Sequence, residues 1–119
     1  MKIVPLVLGM LILSIGCHYD VEEDLVVRSD CDTTEVSYSR DILPIIEGRC
    51  YKCHAASLNL GGITLEGYGR LIIQINSGRL IGAVRRESGF SPMPQNENML
   101  NECNIKMLEA WIDNGAPDN

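Results

Sequence analysis

Cys50-Tyr51-Lys52-Cys53-His54 constrains this chain more than any other stretch, because it sets two thiols and an imidazole within five consecutive positions. Thiols three residues apart stand on about one helical turn, and the next side chain swings an imidazole beneath whatever the thiols hold. From the frequencies of Cys and His, roughly 0.003 such matches are expected by chance in a chain of this length. The CxxCH spacing is the attachment pattern for c-type haem, in which the two thiols reach the two vinyl groups of one macrocycle and the His lies under the iron. Composition suits a bulky cofactor. Aromatic residues are 5% of the 119 positions, with a single Phe, which leaves a thin aliphatic core for one domain of this size.

The same length excludes a multi-domain enzyme. Ten Lys and Arg stand against 16 Asp and Glu, a net charge of −6, so the field around the protein repels phosphate backbones and nucleic acid is not an expected partner. Lys2 is followed by an apolar run from Ile3 to Ile15, broken only by Pro5, Gly9 and Ser14, and then by Gly16 and Cys17. That is a signal-peptide pattern over residues 1–16. The run is shorter than the roughly 18 apolar residues that a membrane-spanning helix needs. Leu13-Ser14-Ile15-Gly16-Cys17 resembles a bacterial lipobox, with Leu13 one place upstream of the usual Leu and Ser14 in its position. The resemblance implies cleavage ahead of Cys17, lipidation of that Cys, and an exported lipoprotein, periplasmic or associated with the outer membrane through its lipid anchor. Ordinary cleavage near Gly16, with Cys17 left as a spare thiol, is the alternative. Residues 17–30 then read as an acidic tether carrying Asp20, Glu22, Glu23 and Asp24. Such a segment spans about 20 Å root-mean-square and would lift a domain off a membrane surface.

Beyond the tether the pattern is helical. Ile42, Leu43, Ile45 and Ile46 suit a short helix from near Asp41 to Arg49, with Pro44 in the first turn, where its missing N–H would have no partner. A second helix is expected over Tyr68 to Ile75, after a Gly61-Gly62 turn, and a third over Leu80 to Val84. The last is the clearest: Asn101 can cap it, Ile105, Leu108, Trp111 and Ile112 form one apolar stripe, and Gly115 and Pro117 stop it. No stretch alternates cleanly enough for a strand, so the expected class is all-α, with Trp111 packed on the first helix or on a haem edge.

With these features in view, the domain at residues 31–119 resembles, from about Ser37 to Pro117, the small class I cytochromes c, and more narrowly the single-haem lipoprotein-type domains of many environmental bacteria. The resemblance is carried by Tyr38-Ser39-Arg40-Asp41-Ile42-Leu43-Pro44-Ile45-Ile46, CxxCH, Gly61-Gly62-Ile63-Thr64-Leu65, Pro92-Met93-Pro94 and Trp111-Ile112-Asp113-Asn114-Gly115-Ala116-Pro117. It implies about four short helices wrapped around one covalent haem c held by Cys50 and Cys53, with His54 as proximal and Met93 as distal iron ligand. Met93 also stands out by itself, because Pro on both sides forbids a helix and presents the thioether from a stiff loop. His18, on the tether, is the competing distal ligand. Class I cytochromes usually offer a Pro carbonyl to the proximal His soon after the motif. This chain has no Pro between His54 and Ser91, so the acceptor for that ring N–H is left unassigned.

Cys31 and Cys103 remain. In an oxidising compartment they are expected to form a disulfide tying the N-terminal segment to the last helix. The alternative is zinc, for which Cys31, Cys50, Cys53, Cys103 and His54 could supply four ligands. Arg70, Arg79, Arg85 and Arg86 gather basic charge that could answer haem propionates or an acidic partner, or form a solvated face. His and Met ligation together leave the iron no open position, so the expected function is one-electron transfer rather than catalysis. The acidic surface calls for redox partners with a basic docking patch. Three other classes stay open: a haem-bearing accessory module of a larger membrane-bound redox complex, a haem sensor or small peroxidase with Met93 unligated, and a zinc-stabilised interaction domain.

Overall fold

The computed structural model describes residues 31–119, so the leader, Cys17, His18 and the acidic tether lie outside the described residues. Helical winding starts at a single wide π-turn, Tyr38–Ile42, and continues as α1, Leu43–Arg49. The helix was expected to begin near Asp41, and the reason it begins earlier lies at Pro44. With no N–H at Pro44, and with its ring crowding the carbonyl four residues back, regular winding cannot run through Arg40. The turn widens instead: the Ile42 N–H bonds to the Ser37 carbonyl at 3.2 Å, and the Leu43 N–H reaches the Tyr38 carbonyl. Asp41 Oδ2 accepts the Ser37 N–H at 2.9 Å and closes the start.

A single turn, α2 (Tyr51–His54), follows α1, and a short 3₁₀ turn spans Leu60–Gly62. Then come α3 (Tyr68–Asn76), α4 (Arg79–Val84) and α5 (Glu102–Asp113). Among the described residues there is no strand, and no helix is long and apolar enough to cross a membrane. Asn101 caps α5 by accepting the Asn104 N–H at 2.8 Å. Within α5 the buried stripe is Ile105, Met107, Leu108 and Trp111, while Ile112 is only partly buried. Met99, just ahead of α5, is exposed.

The core joins Ile42, Ile45 and Ile46 to Leu71 and Ile75 of α3, Leu80 and Val84 of α4, and the α5 stripe. Trp111 is its pivot at 0% exposure. Its ring stacks on Tyr38 at 5.6 Å and meets Tyr68 edge-on at 6.4 Å, and its indole N–H donates to the Pro117 carbonyl at 3.0 Å. The aromatic mass is therefore concentrated where the π-turn, α3 and α5 meet. Cys31 and Cys103 are joined by a disulfide, Cα atoms 5.4 Å apart, which fastens the start of the described chain to the first turn of α5.

Candidate functional site

The Cys50–His54 turn is built on the end of α1. The Cys50 N–H bonds to the Ile46 carbonyl at 2.8 Å, so the chain is still helical when it reaches the first thiol. The Cys50 carbonyl then accepts the N–H groups of both Cys53, at 3.1 Å, and His54, at 2.8 Å, winding the thiols onto one turn. Both thiols are free and partly buried. Burial against the core pushes the Cys50 thiol up to about 11, against the opposing pull of Arg49 and Lys52. A CxxC redox pair or a thiolate metal site works the other way, by holding its sulfur as the anion. Cys50 is kept neutral.

His54 is fixed by the loop that follows it. Its Nδ1 lies 3.0 Å from the Ile63 carbonyl, and its own carbonyl accepts the Leu65 N–H at 2.9 Å, so residues 63–65 run back along the histidine. Gly61 and Gly62, at φ +68° and +72°, make the return possible, since a side chain at either position would be strained. Thr64 Oγ1 on Asn59 Oδ1 at 2.8 Å, and the Ala56 N–H on Glu66 Oε2 at 2.7 Å, brace the loop. With Nδ1–H donating to Ile63, the ring presents Nε2 as a lone-pair ligand. The Ile63 carbonyl is thus the acceptor that sequence reasoning left open.

Met93 stands in the loop between α4 and α5, half-buried, with its N–H on the Ala83 carbonyl at 3.0 Å and the buried Pro94 behind it. Glu97, four residues on, pairs with Lys52 inside the CxxCH turn and lies 3.7 Å from Arg49. The Lys52 ammonium holds the Glu97 carboxyl below its usual range. Arg49 also donates to the Asn98 carbonyl at 3.2 Å, and Arg86 to the Glu97 carbonyl at 2.6 Å. The Met93 loop is therefore anchored at one end on α4 and at the other on the CxxCH turn. Four residues reach at most about 14 Å, so the loop is tied close to the turn.

Of the four gathered arginines, Arg85 is committed elsewhere. It forks onto Glu109 at 2.8 Å and reaches Glu102 at 3.1 Å, bracing α4 against α5, and these carboxylates hold its pKa up. The informative arginine is Arg49, which the sequence did not single out. Its Nε–H is buried without an acceptor, next to Cys50, and the residue lines an open recess with Asn96, Glu97 and Asn98. A buried donor of this kind costs free energy unless something accepts from it, and a carboxylate ligand would.

The zinc alternative does not survive the disulfide. Cys31 and Cys103 are bonded to each other, which removes two of its five possible ligands, and among the described residues no group of three or more His, Cys, Asp or Glu could hold a metal ion. What remains is a pair of free thiols on one turn, an imidazole with Nδ1 on the Ile63 carbonyl, a thioether on a clamped loop and an unanswered guanidinium N–H. Two thiols, an imidazole nitrogen and a thioether are a donor set of the kind that a covalently attached haem would use. Comparison with known proteins adds no family to this geometry: no family model matches the chain, and neither a curated protein nor a solved structure matches it.

Proposed function

We propose that the chain is a monohaem c-type cytochrome of class I fold that carries single electrons in the bacterial cell envelope, as an exported lipoprotein anchored through Cys17. The observation that carries this reading is the His54 Nδ1 contact to the Ile63 carbonyl, which leaves Nε2 as a ligand beside two free thiols on one turn. Cys50 and Cys53 would hold the haem by thioether bonds, each S–H adding across one vinyl double bond. His54 Nε2 and Met93 Sδ would hold the iron, and Arg49 Nε–H would be a donor for a haem carboxylate. When bound, the haem supplies a one-electron Fe(III)/Fe(II) couple.

The chain's own task is to hold two ligands in one geometry through both oxidation states. The Ile63 carbonyl locks the imidazole plane, and the anchors at Ala83 and Glu97 limit the travel of Met93. Were His54 and Met93 both to ligate the iron, no position would remain for O₂ or a substrate, which supports a carrier rather than an enzyme. The acidic surface suits redox partners with basic docking patches, and association rates that fall with added salt. The test is a reduced-minus-oxidised spectrum with a pyridine haemochrome on full-length protein matured in a haem-attaching host. A sharp c-type α-band at one haem per chain is expected. A colourless product would overturn the reading.

A further inference from the structure

α4 carries a glycine in its interior that helix propensity disfavours, and the structure supplies the reason. Gly82 is buried, and three ring atoms of Phe90 lie 2.5–2.7 Å from where its Cβ would stand. Ordinary contact is about 3.5–4.0 Å, so a methyl group there would drive the ring outward by about 1 Å. Phe90 reaches this seat because the chain doubles back after α4: Arg86 turns at φ +56° and Gly89 at φ +93°, the Glu87 N–H bonds to the Gly82 carbonyl at 2.9 Å, and the Phe90 N–H bonds to the Glu87 carbonyl at 3.2 Å. Three residues later the Met93 N–H takes the Ala83 carbonyl, with Pro92, whose φ is fixed, in between. Neighbouring residues of α4 thus hold the segment at both ends, the bare backbone of Gly82 under the ring and the Ala83 carbonyl on the Met93 amide.

We infer that Gly82 is a positioning residue for Met93: its missing side chain lets Phe90 lie flat on α4, and that contact sets where the thioether is delivered. The inference rests on Met93 being the distal ligand. Phe90 keeps 38% of its surface exposed, so a displaced ring has open solvent to move into, and the response should be a shifted loop rather than a failed fold.

The test uses the haem-loaded full chain and reads imidazole binding to the ferric form, the weak near-infrared sulfur-to-iron band, and hydrogen exchange at the Met93 amide. Gly82→Ala should tighten imidazole binding about tenfold, weaken the band and speed exchange at Met93. Phe90→Ala, which empties the seat, should tighten imidazole binding severalfold, and Gly82→Ala should add nothing on top of it, because the new methyl then has room. A glycine kept for other reasons predicts the opposite: Ala would improve the helix, with imidazole affinity and Met93 exchange unchanged, and that result overturns the inference. If Gly82→Ala does not accumulate, an unchanged Phe90→Ala overturns it equally. Met93→Ala separates the two levels. If that variant fails to open the iron, the ligand assignment itself falls; if it opens the iron while Gly82→Ala and Phe90→Ala do not, only the role of Gly82 falls.

Discussion

Replacing Cys31 and Cys103 together by Ser tests how far this small domain depends on its one cross-link. The bridge closes a loop whose ends are 72 residues apart, and that loop contains α1 to α4, the CxxCH turn and the Met93 loop. In the chain-entropy account a loop of this length removes about 4.5 kcal/mol of unfolded-state freedom. A domain of this size has only about 5–15 kcal/mol in total, so the double substitution should leave it marginal. The native state also loses some packing directly, because Cys31 and Cys103 lie partly buried against the core, so the loss should be at least this large. Urea unfolding followed by far-ultraviolet circular dichroism is the assay, run on haem-loaded protein with the two thiols absent. With a slope of about 1–2 kcal/mol per molar, the midpoint should fall by about 2–4 M while the slope stays nearly constant. The α-band should persist below the new midpoint, since the attachment residues are untouched. A loss under about 1 kcal/mol would refute the reasoning and would mean that the unfolded chain is already compact around α5. Sensitivity to a chelator in place of a reductant would refute it differently, by returning the zinc alternative.

Two further outcomes follow from the thiols of the turn. Cys50→Ala with Cys53→Ala should yield a protein whose colour is extracted by acid acetone, whereas haem that stays with the chain would show that attachment lies elsewhere. In the haem-free chain, the Cys50 thiol sits near 11 against an ordinary value of 9.0, so at pH 8 its thiolate fraction is about a hundredfold lower than that of an exposed thiol. Iodoacetamide labelling of Cys50, read by peptide mass, should therefore rise nearly tenfold per pH unit up to about pH 10 and level off only near pH 11; a rate that levels off near pH 9 would refute the burial. The sign for stability follows from the same shift. The folded state holds this proton more tightly than the unfolded state, so the contribution is complete below pH 9 and is lost as pH rises through 11.

What could be read from the sequence was what is local. The CxxCH turn, the Asn101 cap and the α5 stripe each rest on spacings of three or four residues, and α3 and α4 fall within a residue of their expected bounds at both ends. The π-turn was missed because Pro44 acts backward, on a carbonyl four residues earlier, while helix-start patterns are read forward. The pairing of Lys52 and Arg49 with Glu97 joins positions more than forty residues apart, and a run of exposed charge gives no hint of which partners meet. Gly82 looked like a weakness of α4, and its reason is a ring eight residues away.

The acceptor for His54 is the most telling case, because a proline after the motif is a signature that the chemistry does not require. A hydrogen bond from Nδ1–H needs a carbonyl held in place; proline is one way to hold it, by fixing its own φ and that of its neighbour's approach. Here Gly61 and Gly62 turn the chain, the Leu65 N–H returns to the His54 carbonyl, and Thr64 pins the loop to Asn59, so Ile63 is immobilised by its surroundings. Any residue at position 63 with an ordinary backbone would offer the same carbonyl. The missing proline after the motif therefore says little against a ligating histidine, and the residues whose loss should free the imidazole are Gly61, Gly62 and Thr64, which hold the loop and not the ring.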